Sequence, residues 1–272
     1  MSELVIEAGR IERQYWRDLW RYRELFFFFT WRDLLVRYKQ TVVGVSWSLV
    51  RPLLTMAVLT IVFGKLGKMP AGKVPCSLLV FCGLLPWQFF AAAITECGNS
   101  LITNSNMISK IYFPRLVITV SSVMTTLVDF GISAIFLVGL MLYFHYPPHA
   151  TLLLLPLYIF LMTGASFGVG LWIAALMVQY RDFRFIVPFV VQFGLYISPV
   201  GFQSSVVPLR FRLLYSLNPM VGIIDGFRWC ILGPESRIYW PGLAISIAEM
   251  ALFVVSGIWY FRKTERIFAD VI

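Results

Sequence analysis

Long apolar runs separated by brief polar ones set out most of this chain. Six of them are close to the ~20 residues that an α-helix needs to cross a bilayer: 47–66, 77–97, 116–144, 152–178, 185–202 and 240–260. The connections leave no room for a sizeable soluble domain, so the pattern predicts an all-α integral membrane protein of six spans. Ahead of the first run, the period changes to that of an amphipathic helix. Ile11, Tyr15, Leu19, Tyr22 and Phe26 fall on one stripe, and Arg10, Arg13, Arg17 and Arg21 on the opposite one. Such a helix is expected to lie in the interface, aromatics in the headgroups and arginines toward water and anionic lipid. Thr30 with Asp33 has the form of a capping box and predicts a second helix start there. The predicted layout is a cytoplasmic amphipathic segment over 1–46, a six-span unit over 47–262 and a short cytoplasmic tail over 263–272.

The interruptions are as informative as the runs. Asn104-Ser-Asn-Met-Ile-Ser-Lys-Ile-Tyr-Phe-Pro-Arg115 is a polar island between two spans and must sit at a membrane surface. Met107, Ile108 and Ile111 alternate with Ser109 and Lys110, and the pattern stops at Pro114. That predicts a short amphipathic helix ending before a proline, either a handle for a cytosolic partner or an ordinary loop. A second brief basic connection, Gln179-Tyr-Arg-Asp-Phe-Arg-Phe185, follows the fourth span. The stretch 204–236 is too polar for a full span and too apolar for an ordinary loop. Within it, Asn218 and Pro219 are a helix-start signal, with asparagine as cap and proline at the first position. The half-helix from there to Leu232 is ended by Gly233-Pro234, and two short helices dipping back from the outer face are expected. Cys230 on that half-helix is expected to be reachable from outside. Pro86 predicts a kink beside the aromatic cluster of Trp87, Phe89 and Phe90. Gly164, Gly168 and Gly170 predict close helix packing, and Phe189, Phe193 and Tyr196 share one helical face.

Charge orients this layout. Arg10, Arg13, Arg17, Arg21, Arg23, Arg32, Arg37 and Lys39 precede the first span; Lys110, Arg115, Arg181, Arg184, Arg262, Lys263 and Arg266 fall on the same side. The opposite side carries only Lys65, Lys68, Lys73, Arg210, Arg212, Arg228 and Arg237. Both termini are therefore expected in the cytoplasm. With 59% hydrophobic and 14% charged residues, the net charge of +9 reads as membrane-surface electrostatics, not nucleic-acid binding. The first residues are charged and are followed by no short apolar core with a cleavage site, so no cleavable signal is expected.

Candidate chemistry is sparse. The glycine–lysine pairs at 64–65, 67–68 and 72–73 lack the spacing and the following Ser or Thr of a phosphate loop. Two histidines and four cysteines without C-x-x-C spacing indicate neither a metal site nor a disulfide framework. Asp129 in the third span and Glu249 in the sixth are the carboxylates at membrane depth. Each costs about 2.5–3.5 kcal/mol on insertion scales, so each is either part of a proton-coupled transport path or a carboxyl kept protonated or hydrogen-bonded to Ser or Thr. Arg51, about one turn inside the first span, is a snorkelling side chain or a pore arginine.

Five stretches together resemble one family. They are Arg32-Asp-Leu-Leu-Val-Arg-Tyr-Lys-Gln, the 104–115 island, Tyr180-Arg-Asp-Phe-Arg-Phe-Ile-Val-Pro, Leu217-Asn-Pro-Met-Val-Gly-Ile-Ile-Asp-Gly-Phe-Arg-Trp and the tail from Phe261. In this order they resemble the permease subunit of ABC-2-type polysaccharide exporters, the O-antigen, capsule and teichoic-acid transporters. The resemblance implies a multi-pass subunit of the bacterial inner membrane that is not itself an enzyme. It would form a homodimer, paired with a separate ATPase subunit that binds ATP and Mg, and would move a polysaccharide, lipid-linked or free, through a lipid-embedded dimer. It implies that Ser105, Asn106, Met107, Ile108, Ser109, Lys110, Ile111, Tyr112, Phe113 and Arg115, with Arg181 and Asp182, couple to the ATPase. It implies an external gate containing Asn218, Pro219, Asp225 and Arg228. Sugar C–H faces stack on aromatic rings, so Phe189, Phe193, Tyr196, Trp87 and Phe90 are the expected channel lining. No motif matches the loop from Lys65 to Lys73.

Overall fold

The computed structural model describes residues 12–39, 44–67, 74–111, 113–265 and 268. Arg10, Ile11, Lys68, Lys73, Tyr112, Arg266 and the side chain of Arg13 lie outside the described residues. Five helical stretches among these residues are long and apolar enough to cross a membrane. They are α3 (Gly44–Leu59, continued by a π-helical turn to Leu66), α4 (Cys76–Thr103), α6 (Leu116–Tyr143), α7 (Leu155–Gln179, led in by a 3-10 turn) and α11 (Trp240–Glu265). The predicted fifth span is the shorter α8 (Phe183–Ile197). Its 15 residues reach only ~22 Å at ~1.5 Å per residue. It stops early because Ser198 precedes Pro199 and is pushed to an extended conformation, with ψ of 154°.

Helix α4 is the axis of the bundle. It packs against α6, α7 and α10 (Pro219–Leu232), and most of its length is buried. Pro86 lies inside it without interrupting the helix. Helix α11 lies along α7, and glycines set that distance: a Cβ on Gly168 would stand 2.6 Å from the α11 backbone, and one on Gly257 2.6 Å from the Gly168 carbonyl. The glycine cluster is thus a close helix contact, as its spacing predicts. By contrast α3 and α8 touch the bundle lightly and leave long apolar faces exposed.

The first two helices, α1 (Glu12–Arg21) and α2 (Arg23–Lys39), depart from expectation in two ways. No helix starts at Thr30, because its hydroxyl bonds back to the Phe26 carbonyl at 2.7 Å, a local alternative to capping; the break falls at Tyr22. Nor does the Tyr15–Leu19–Phe26 stripe face outward. Those side chains pack on a second apolar cluster built around Phe29, Phe113, Leu116 and Phe261. The exposed aromatics are instead Trp16, Trp20, Phe27, Phe28 and Trp31. The arginine-lined stripe is likewise only one side of the story: on α2, Arg32, Asp33, Arg37 and Tyr38 turn toward the bundle.

Candidate functional site

The 104–115 island is held at three points. Asn104 ends α4 and donates to the Ser100 carbonyl (2.8 Å), while its side-chain oxygen accepts from Arg32 of α2 (2.8 Å). The Phe113 ring lies 5.7 Å from that of Phe29, also on α2. Arg115 donates its backbone N–H to the Glu265 carboxylate (2.9 Å), its guanidinium to the Glu265 carbonyl, and sits over the Phe268 ring. The island is therefore tied to α2 and to the end of α11 as well as to the helices it joins. Its helical part, α5 (Ser105–Ile108), is a single turn, shorter than predicted. Ser109 closes it by donating to the Asn106 carbonyl, and the chain turns through Lys110.

This geometry splits the predicted apolar face. Ile108 is buried, 8% exposed, in the cluster that also holds Val178 at the end of α7, whereas Ile111 is 60% exposed. The surface open to a partner is Asn106, Ser109, Lys110 and Ile111, with Met107 and Ser105 half-buried. Arg181 and Asp182 are also exposed, and the Asp182 carbonyl accepts the first backbone bonds of α8.

Beside the island, α2 is fastened to the bundle by charge. Arg37 pairs with Glu96 of α4 at 2.6 Å and with Asp129 of α6, which also accepts from the Tyr38 hydroxyl. Burial disfavours the Arg37 cation, but Asp129 and Glu96 outweigh it and hold the pKa above the usual arginine value. Neither expectation for Asp129 survives: its carboxylate is spent on Arg37 and Tyr38, not on a proton path and not on Ser or Thr. Helix α6 has 28 residues, ~42 Å at ~1.5 Å per residue. Asp129 is the fourteenth of them and lies near the middle of α6, so the guanidinium and hydroxyl that reach it offset the cost of its charge at that depth. Glu249 belongs to α11, away from this cluster, and one of its oxygens is buried without a partner. Sequence reasoning missed the cluster; its signal was Arg37 standing four residues after Asp33, on a face that interrupts Leu34, Leu35 and Val36.

On α8, Phe189, Phe193 and Tyr196 form an exposed row, the first two stacked at 5.6 Å. The opposite face, with Val187 and Gly194, meets the bundle; a Cβ on Gly194 would stand 2.5 Å from the Trp87 ring. Trp87 and Phe90 are therefore core residues beneath α8, 5% and 8% exposed, and do not share the row's surface. Their position on α4, the most buried helix, accounts for this.

At the far end, α9 (Leu209–Tyr215) and α10 are the two predicted short helices. Asn218 caps α10 by accepting from the Met220 N–H (3.1 Å), donates to Ser198 Oγ (2.9 Å), and is followed by Pro219 at the first position. Arg228 is fully buried. It donates to the carbonyls of Pro199 (2.9 Å), Val200 (3.0 Å) and Phe202 (3.0 Å), just past the end of α8. Gly83 leaves room for it: a Cβ there would stand 2.2 Å from the guanidinium. Asp225 is buried one turn earlier, within electrostatic reach of Arg228. Cys230 is also wholly buried, contrary to expectation. Among the described residues no group of three or more His, Cys, Asp or Glu is gathered that could hold a metal ion.

These features define a helical membrane subunit with exposed surfaces at the island end and a fastened helix pair at the other. The chain belongs to the ABC-2 type transporter family, which it matches over residues 24–232. It is similar to the O-antigen export system permease protein RfbA of Klebsiella pneumoniae, 27% identical over 243 residues that cover 89% of this chain and 92% of the relative. It is also similar to the protein of the same name from Myxococcus xanthus, 25% identical over 252 residues, 92% of this chain and 96% of the relative. As a transporter subunit it is not an enzyme.

Proposed function

We propose that this chain is the permease of an exporter that carries a cell-surface polysaccharide of the O-antigen class across the bacterial inner membrane. The observation that carries the reading is the near full-length similarity to O-antigen export permeases. Two copies form the channel, both termini face the cytoplasm, and a separate ATPase subunit that binds ATP and Mg supplies the energy. Exposed Asn106, Ser109, Lys110, Ile111, Arg181 and Asp182 suit the ATPase contact. The lightly packed α3 and α8 leave apolar faces that a second copy or lipid covers. Deleting the gene should remove the surface polysaccharide, and a tagged chain should copurify with an ATPase subunit. Unchanged polysaccharide in the deletion strain sinks the reading. A proton-coupled carrier has no support: Asp129 is engaged by Arg37 and Tyr38.

The split face makes a sharp comparison. Ile111→Asp should leave the protein in the membrane but reduce ATPase copurification by about tenfold, because a docked carboxylate loses water without gaining a partner. Ile108→Asp should instead lower the folded protein level, since it places a charge in the core. Equal ATPase recovery with Ile111→Asp and wild type would return the island to an ordinary loop.

The α8 row is tested by leucine, which keeps apolar bulk and removes the flat ring. The triple variant Phe189→Leu, Phe193→Leu, Tyr196→Leu should assemble with the ATPase and export poorly. Full export by it would assign that face to lipid.

A further inference from the structure

Between α2, α4 and α6 lies a half-open cleft of about 440 Å³ lined by polar residues and Val36, with the carbon stems of those side chains making most of its exposed wall, the mixed surface that a sugar ring presents in turn. Its volume falls in the range of small-ligand sites, ~300–1,000 Å³. From the geometry we infer that this cleft is a binding subsite for one or a few neutral sugar units at the cytosolic mouth, an inference that rests on the proposed polysaccharide export. Its setting is the first argument. Helix α2 is inside out: Arg32, Asp33 and Arg37 line the cleft, while Phe27, Phe28 and Trp31 are exposed on its outer side. A membrane-bordering helix that turns its polar face inward encloses a wet space and separates it from lipid.

Charge decides what the space takes. Arg32 is paired with Asp33 at 2.7 Å and with Asn104, and Arg37 with Glu96 and Asp129. An incoming phosphate would have to displace resident carboxylates from both guanidiniums. A hydrocarbon chain would strip water from polar groups and return no hydrogen bond. A cation would face two arginines. A sugar hydroxyl both donates and accepts, and the wall offers both functions: the Glu96 carboxylate, 46% exposed, and the Thr125 hydroxyl oxygen, whose proton goes to the Ser121 carbonyl, accept, while the Asn99 amide and the Thr103 hydroxyl do either.

The position adds a consequence. Asn104 and Arg32 belong both to the cleft wall and to the fastening of the island. A sugar bound there touches the residues that hold the island to α2, so occupancy is sensed next to the ATPase contact.

The test is saturation-transfer NMR on the permease–ATPase complex in nanodiscs. The probe is lipid-free, phosphate-free short oligosaccharide released from the producing strain's surface polysaccharide. Wild type should bind it. Asn99→Leu, which removes an amide, and Thr103→Trp, which fills the mouth from an exposed position, should each weaken binding about tenfold. Membrane level and ATPase copurification check that both variants are folded. Inorganic pyrophosphate should not compete. Wild-type affinity in both variants, or competition by pyrophosphate, overturns the subsite and leaves the export reading intact. Loss of ATPase copurification in Thr103→Trp alone, with oligosaccharide binding retained, assigns the cleft to the ATPase and also overturns it. An oligosaccharide that does not bind wild type overturns the subsite; only surface polysaccharide that persists in the deletion strain overturns export itself.

Discussion

Replacing Arg228 with leucine should unfasten the end of α8 from α10 and make Cys230 reactive. Wild-type Cys230 is wholly buried and should resist a membrane-impermeant maleimide. The guanidinium is the donor shared by three carbonyls, from Pro199, Val200 and Phe202. Leucine leaves all three unsatisfied and removes the positive charge near buried Asp225. Breaking a buried charged network of this kind costs on the order of 3–5 kcal/mol, a large share of a total stability of ~5–15 kcal/mol. Leucine is also too short to fill the space beside Gly83, so the loss includes packing. Arg228→Lys keeps the charge but has no planar fork to span three acceptors, and should fall between wild type and leucine. The measurements are export, membrane level and Cys230 labelling. Normal export with silent Cys230 in Arg228→Leu would show that α8 and α10 are held together by packing alone.

Much of this architecture was legible in the chain because bilayer thickness imposes run length. Spans stood out, and so did Asn218–Pro219, since cap chemistry is local and depends on neighbouring residues only. Gly168 was legible for another reason: the repeated small residues around it mark one helix face, although their size matters only against a second helix. What was not legible depends on which face of a helix meets protein. The periodicity of α1 and α2 was correct, yet it was read against lipid. In a membrane protein both lipid and protein interior are apolar, so an apolar stripe does not declare its side. Tyr15 and Phe26 face protein, while Trp31 and Phe28 face outward. Trp87 and Phe90 were assigned to the channel for the same reason, whereas burial puts them under α8. Ile108 and Ile111 look equivalent in sequence, and only the tether of Arg115 to Glu265 and of Phe113 to Phe29 separates them. The Arg37 cluster joins residues from three helices across 59 and 92 positions of sequence, beyond any local pattern.

Arg37→Leu should uncouple ATP hydrolysis from export. Arg37 ties α2 to Glu96 and Asp129, and α2 in turn holds Asn104 through Arg32 and Phe113 through Phe29. Without Arg37 the helix keeps its apolar contacts at Phe29 but loses its fixed position on α4 and α6. Glu96 and Asp129 then lose the guanidinium they share, and Asp129 keeps the Tyr38 hydroxyl. Glu96 is 46% exposed and Arg37 30%, so solvent screens much of the pair. The stability cost should therefore be ~1–3 kcal/mol, below that of a fully buried pair. The functional cost is expected to be larger than the loss of stability. A push on the island would be absorbed by a loose α2 rather than passed to the bundle. In proteoliposomes the variant should hydrolyse ATP with its partner subunit while exporting less glycan per ATP. Adding Asp129→Leu removes one of the stranded carboxylates, so the double variant should be less defective than the two single effects added together. Strict additivity, or wild-type export per ATP in Arg37→Leu, would show that α2 transmits nothing through this cluster.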